Sequence, residues 1–139
     1  MNRKALTTAF AAVAALLAMA CKDALDIGSF SVTGTWAGTA KKQVSGTDSA
    51  TYTFRMELEQ DQRSIDGTAV VKAGTDSVIA DVDGVWNYPR VSLQFKAPEF
   101  ATLQFNSTFT PEANRDTLAG PLVGSGLDGV TLKLVRQTQ

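Results

Sequence analysis

The feature that most constrains the fold of this chain is an alternation of apolar and polar residues with a period of two. In residues 51–59 the even-numbered positions are apolar or aromatic, whereas the odd-numbered positions are polar or charged. Successive side chains of a β-strand point to opposite faces, so this pattern predicts a strand with one buried face. The alternation recurs at residues 91–96, 103–106 and 130–134. No segment after residue 21 shows a sustained apolar stripe of helical period. The sequence therefore predicts an all-β domain.

Turn-forming residues divide this domain into eight predicted strands. Gly, Pro, Asp, Asn and Ser cluster at the breaks, and every connection is short enough for a hairpin. Eight strands with one apolar face can close on themselves, which removes the exposed sheet edges. We therefore expect a single up-and-down antiparallel eight-stranded barrel over residues 32–139, with a two-sheet sandwich as the alternative. The predicted strands lie near residues 32–41, 50–60, 65–73, 77–88, 90–97, 100–110, 116–123 and 129–137.

Alternating strand directions sort the connections between two ends of the predicted barrel. The closed end collects both ends of the domain and the loops after the second, fourth and sixth strands. The open end collects the remaining loops, among them a predicted polar loop over residues 42–49. We expect bulky inward side chains to fill the closed end, namely Trp36, Leu58, Ile65, Trp86, Tyr88 and Phe109.

Apolar side chains near the open end are candidate ligand contacts. An eight-stranded barrel is either just filled by its own side chains or wide enough for one small ligand. Both cases have the same apolar sequence pattern, so both stay open at this point. A pocket, if the barrel has one, belongs at the open end. The candidate lining residues are Tyr52, Phe54, Val71, Val78, Phe95, Leu103 and Val130.

Two residues far apart in the sequence are expected to meet at the closed end. In a closed barrel the first and last strands are neighbours, so Arg136 should lie over the ring of Trp36 in a cation–π contact. Gly34-Thr35-Trp36, with a basic residue in the last strand, resembles the signature of the calycins, which comprise lipocalins, fatty-acid-binding proteins and avidins. The resemblance implies a small calycin-like barrel whose floor includes Gly34, Trp36 and Arg136. The alternative is a convergent barrel or sandwich in which Trp36 is an ordinary core residue.

The first 20 residues have the pattern of a cleaved signal peptide. Arg3 and Lys4 precede an uncharged, Ala- and Leu-rich run over residues 5–19. This run is shorter than the roughly 20 residues that cross a bilayer as a helix, but it suits a signal-peptide core. Ala-Met-Ala at residues 18–20 is a small-x-small cleavage pattern, and Cys21 follows directly.

Residues 18–21 also resemble a bacterial lipobox, in which the cysteine becomes the first residue and is acylated. The resemblance implies a lipoprotein that is held on the membrane by acyl chains on Cys21, with residues 21–31 as lipidated cysteine and tether. Lys22 rather than Asp follows the cysteine, which in such proteins implies the outer membrane. The alternative is an unmodified thiol near an ordinary mature terminus.

The composition argues against several classes of function. The chain has no His and a single Cys, so it lacks imidazole-dependent nucleophile pairs, zinc sites of the usual Cys/His kind and internal disulfides. The formal net charge of -1 does not suit a nucleic-acid-binding surface. The carboxylate pairs of Asp81 with Asp83 and of Glu57 with Glu59 fall on outward strand faces, where we expect solvation. We expect no metal and no cofactor.

These features predict an exported, lipid-anchored protein of the bacterial cell envelope that is monomeric and not an enzyme. The first functional hypothesis is a binding module for a small apolar ligand at the open end. The second is a protein-interaction role, such as inhibition of an envelope protease or other hydrolase, with residues 23–31 and 42–49 as the candidate contact segments. The third is a structural envelope lipoprotein without a ligand.

Overall fold

Eight antiparallel strands close into a barrel in the computed structural model, which describes residues 30–98, 100–108 and 116–138. Each strand pairs with its sequence neighbours, and β1 also pairs with β8. The predicted all-β, up-and-down antiparallel barrel is therefore confirmed, and the sandwich alternative is wrong. The strands are β1 (Gly34–Ser45), β2 (Asp48–Asp61), β3 (Ser64–Ala73), β4 (Asp76–Asn87), β5 (Arg90–Lys96), β6 (Leu103–Thr108), β7 (Thr117–Val123) and β8 (Thr131–Arg136).

The ladder between β1 and β8 closes the barrel. It runs from the pair of Trp36 and Arg136 to the pair of Ala40 and Leu132. Among the described residues, the shortest ladder joins β6 to β7, where Gln104 and Phe105 of β6 have partners in register. Closure gives the middle of every strand two neighbours, which satisfies main-chain groups that an open sheet would leave exposed.

The apolar residues of the alternating pattern face the inside of the barrel, and the polar residues face the outside. In β2 the inward positions from Phe54 to Leu58 are buried and the intervening outward positions are exposed. The same pattern holds in β6 and β8, so the period-two signal identifies the core. The largest fully buried side chains are Trp36, Phe54, Phe95, Phe105, Met56, Leu58, Ile65, Leu103, Leu118, Leu122, Leu132 and Leu134.

Two glycines allow neighbouring strands to approach each other closely. A Cβ atom on Gly38 would lie 1.9 Å from the carbonyl oxygen of Lys133, and one on Gly120 would lie 1.7 Å from that of Asn106. No real side chain fits at such distances, so both positions require glycine. Such close approach is how strands bend in a small barrel.

Two details of the predicted fold are wrong. The polar loop expected over residues 42–49 is almost entirely strand, because β1 and β2 continue until a turn at Gly46 and Thr47. Tyr88 was expected inside the closed end but is 47% exposed. It lies in the turn between β4 and β5, and its ring packs edge-on against Trp86 at 6.0 Å between centroids.

The residues that carry the predicted signal and lipid anchor, up to residue 29 and including Cys21, lie outside the described part of the chain, as does Phe109. Within the part that is described, no helix has the length and apolar character to cross a membrane.

Candidate functional site

The closed end brings together the three residues of the expected barrel-floor signature. The guanidinium carbon of Arg136 lies 4.5 Å from the centre of the Trp36 ring, so the expected cation–π contact is present. Trp36 is fully buried. Gly34 lies beside the same guanidinium, since a Cβ atom there would be 3.2 Å from Nη1 of Arg136. These three residues form one structural cluster.

Hydrogen bonds and one ion pair tie this cluster to the surrounding chain. The indole Nε1 of Trp36 donates to the carbonyl oxygen of Val32 over 2.7 Å, and Nη1 of Arg136 donates to that of Thr33 over 2.5 Å. Nε of Arg136 lies 3.3 Å from the carboxylate of Asp116. The polar groups of Trp36 and Arg136 are thus engaged in holding the start of β1 against the end of β8, which suits a structural role.

The candidate ligand-lining residues lie on the inner face, and four of them are buried: Phe54, Val71, Phe95 and Leu103. The rings of Phe54 and Phe95 lie 5.9 Å apart between centroids. Their strands, β2 and β5, are not neighbours in the barrel, so this aromatic pair crosses the interior. Side chains therefore occupy the centre of the barrel at this level. The remaining candidates, Tyr52, Val78 and Val130, are half-buried nearer the open end.

A leucine that the sequence patterns did not single out lies at the open end. Leu127 belongs to the loop between β7 and β8, yet it is only 4% exposed. Its N–H donates to the carbonyl oxygen of Gly124 over 2.9 Å, and its own carbonyl accepts from Val130 over 3.1 Å. The signal that could have identified it is a single large apolar side chain among the Gly, Ser and Asp residues of this loop.

The outward carboxylates are exposed, as their positions in the strands indicated. Asp83 forms an ion pair with Lys96 at 2.5 Å, and both side chains are about half exposed. Glu57 and Glu59 lie on the outer face of β2. In the described residues, no three His, Cys, Asp or Glu side chains are grouped closely enough to hold a metal ion. The structure brings no acid–base pair together on the inner face of these strands.

The hairpin of β1 and β2 extends beyond its ladders with β8 and β3 at the open end. The β1–β8 ladder ends at Ala40, and the β2–β3 ladder begins at Tyr52, so residues 41–51 pair only with each other. We call this two-stranded segment the projecting hairpin. It coincides with the segment 42–49 that the sequence proposed for partner contact, although it is a strand pair rather than a loop.

The tip of the projecting hairpin presents an apolar side chain to solvent. The register shifts by one residue between Gln43 and Ser45, which leaves Val44 as the extra residue of a β-bulge. Val44 is 64% exposed. The side-chain amide of Gln43 donates to the carbonyl oxygen of Gly46 across the turn. This bond spans the turn that follows Val44.

A slot of about 640 Å³ lies beside the hairpin, where β1 continues past the start of β8. Residue 39 and residues 41–43 of β1 form one wall, and residues 128–131, before and at the start of β8, form the other. Sequence patterns could not locate this slot, because it arises from the different lengths of two strands that are neighbours only after the barrel closes.

Comparisons with known proteins add no relative to this description, since no protein-family model, curated protein or solved structure matches the chain. The barrel and the positions of its residues are therefore the basis on which a function is proposed.

Proposed function

We propose that this protein is a non-enzymatic, lipid-anchored envelope protein that recognises another protein through the projecting hairpin. One observation carries the proposal: Phe54 and Phe95 meet across the barrel and occupy its centre at that level. A barrel packed in this way leaves little room for a carried molecule at that level, which supports recognition by the outer surface. The partner class that suits an inserted hairpin is an envelope protein with a cleft, such as a protease or other hydrolase.

Three properties of the hairpin support this role. It extends beyond the ladders with β8 and β3, so neither of its edges pairs with a neighbouring strand. Val44 offers a β-branched apolar anchor at its tip. The bulge and the Gln43 hydrogen bond preorganise the tip, which lowers the entropy that binding costs.

The lipid anchor is proposed from the sequence alone. Acyl chains on Cys21, with at least two needed for durable attachment, would hold the protein at the bacterial envelope, and Lys22 favours the outer membrane. Because β1 begins at the closed end, a tether that precedes it would leave the hairpin directed to the opposite end. A Cys21→Ser variant is expected to leave the membrane fraction; if it stays there, the anchor is elsewhere.

A small apolar ligand at the open end is the second candidate function. It is favoured by the half-buried state of Tyr52, Val78 and Val130, which keep part of their surface accessible there. On this alternative the ligand would sit above the Phe54–Phe95 pair rather than deep in the barrel. A structural envelope lipoprotein with no ligand remains the third hypothesis from the sequence.

Site-specific photo-crosslinking in cells tests the proposed interaction. A photoreactive residue is placed at Val44, and a matched variant carries it at Ile79, an equally β-branched side chain that is 70% exposed on β4. The proposal predicts a protein adduct at position 44 and none at position 79. Adducts of equal yield at both positions, or none at position 44, would contradict a recognition role for the hairpin.

A further inference from the structure

We propose that the slot beside β1 binds an extended, acidic peptide segment of the partner, which adds to the barrel as a strand along β1. This inference rests on the proposed interaction role and names the way in which the partner is held. The inference is based on an unpaired strand edge: residues 41–45 of β1 extend beyond the ladder with β8, which ends at Ala40. Exposed edges of this kind pair readily with an added strand.

The main-chain groups of this edge point into the slot. The N–H of Gln137 donates to the carbonyl oxygen of Thr35 over 2.8 Å, so Thr35 directs its main chain toward β8. Residues two apart in an antiparallel strand direct these groups to the same side. Gln43, eight residues further along β1, therefore presents its N–H and C=O to the side that β8 has left. An incoming strand would find one donor and one acceptor there.

The opposite wall of the slot is held away from β1 by its own hydrogen bonds. The hydroxyl of Ser125 donates to the carbonyl oxygen of Ala101, which ties the β7–β8 loop to the connection before β6. Within the loop, the N–H of Gly124 donates to the carboxylate of Asp128 over 3.0 Å. The space between this loop and β1 measures about 640 Å³.

Charge in the slot favours an acidic strand. Lys41 and Lys42 both line it, and the ammonium of Lys42 lies beside Gly126, 3.5 Å from where a Cβ atom would be. Among the residues that the structure describes, neither ammonium forms an ion pair. The one carboxylate in the lining, that of Asp128, already accepts a main-chain hydrogen bond. Lys41 and Lys42 are consecutive strand residues and point to opposite faces, so acidic side chains along one face of the added strand would pair with one of the two lysines.

Binding of a designed peptide to the purified protein tests this inference. The probe is a fluorescent heptapeptide of alternating Glu and Val, and its controls are the Lys–Val counterpart and a Glu–Val peptide with methylated main-chain nitrogens. Fluorescence anisotropy should show that the unmodified Glu–Val peptide binds and that added salt weakens it. The Lys–Val and methylated peptides should bind at least about tenfold more weakly, because they lack the charge or the main-chain donors.

Two variants of one residue separate main-chain pairing from other contacts. Gln43→Pro removes the N–H that faces the slot and leaves the β1–β2 ladder bonds in place, so peptide affinity should fall about tenfold. Gln43→Ala loses the same side chain but keeps that N–H, so Gln43→Pro should bind the peptide about tenfold more weakly than Gln43→Ala does. If Gln43→Pro does not fold, the methylated peptide tests the same bond on the unaltered protein.

Several results would overturn the inference. Equal binding of the Glu–Val and Lys–Val peptides, or equal binding of the methylated peptide, would each exclude an acidic added strand. A concentration-dependent dimer in light scattering that the Gln43→Pro variant abolishes would assign the edge to a second copy of the chain. An adduct at Val44 without peptide binding would contradict peptide binding in the slot but not partner recognition by the hairpin. Peptide binding without that adduct would contradict only the proposed role of the hairpin tip.

Discussion

At the scale of single residues, the closed end depends on Trp36. Its ring is fully buried, its Nε1 donates to Val32 and its face contacts Arg136. Trp36→Ala should therefore lower the free energy of unfolding by roughly 3–5 kcal/mol, as other large core truncations do. Urea denaturation of the purified protein measures this loss, and a loss below about 1 kcal/mol would show that the ring contributes little to the core.

Gly120 is the second residue with a sharp expectation. A methyl group at this position would overlap the carbonyl oxygen of Asn106, which is main chain and cannot rotate away. Gly120→Ala should lower the free energy of unfolding by about 3 kcal/mol, which is the upper range for overpacked sites. Gly74 is a suitable control, because nothing lies within 4 Å of it and its φ of 64° is one that asparagine tolerates. If Gly74→Asn destabilised the protein as much as Gly120→Ala, the close strand approach would not be the cause.

At the scale of elements, a change in the projecting hairpin should affect partner binding without affecting the stability of the barrel. Val44 is mostly exposed and belongs to no ladder pair, so Val44→Ser should change the free energy of unfolding by less than about 0.5 kcal/mol. The same change removes the apolar anchor. A photoreactive residue at Thr47 should consequently give fewer partner adducts in the Val44→Ser background. Unchanged adduct yield would show that Val44 is not the anchor.

The sequence pattern predicted the strands that bury one face in the core. It did not predict the strand segments that have both faces exposed to solvent. In β2 the alternation from Phe54 to Leu58 reports the core directly. Residues 42–49 are exposed or half-exposed on both sides, so their polar composition resembles that of a loop although they pair as strands. Burial produces the pattern, and a strand pair outside the core carries no such pattern.

At the scale of the whole molecule, closure predicted the contact between Trp36 and Arg136, because a barrel makes its first and last strands neighbours. The filling of the interior could not be predicted in this way. Whether Phe54 and Phe95 meet depends on ring orientation and barrel width, and neither follows from an apolar pattern. The slot is also a property of the closed barrel, since it lies where β1 extends past the start of β8.

The filled interior predicts how an engineered cavity would behave. Phe95→Ala removes a fully buried ring from the centre of the barrel. It should lower the free energy of unfolding by roughly 3–5 kcal/mol. The space left is apolar, and apolar cavities of this kind stay dry and take up small apolar molecules. Benzene should therefore raise the melting temperature of the Phe95→Ala variant and leave that of the unaltered protein unchanged. Equal stabilisation of both would indicate a cavity in the native barrel.

The central claim, that the barrel is filled by its own side chains and acts through its outside, is tested most directly by native mass spectrometry. The protein is produced from residues 1–139 and transferred to the gas phase without denaturation. Its mass is then compared with that of the same sample after unfolding. Any lipid bound covalently contributes equally to both masses. We predict identical masses. A native mass that exceeds the unfolded mass by one stoichiometric small molecule would contradict the account and establish the open end as a ligand site.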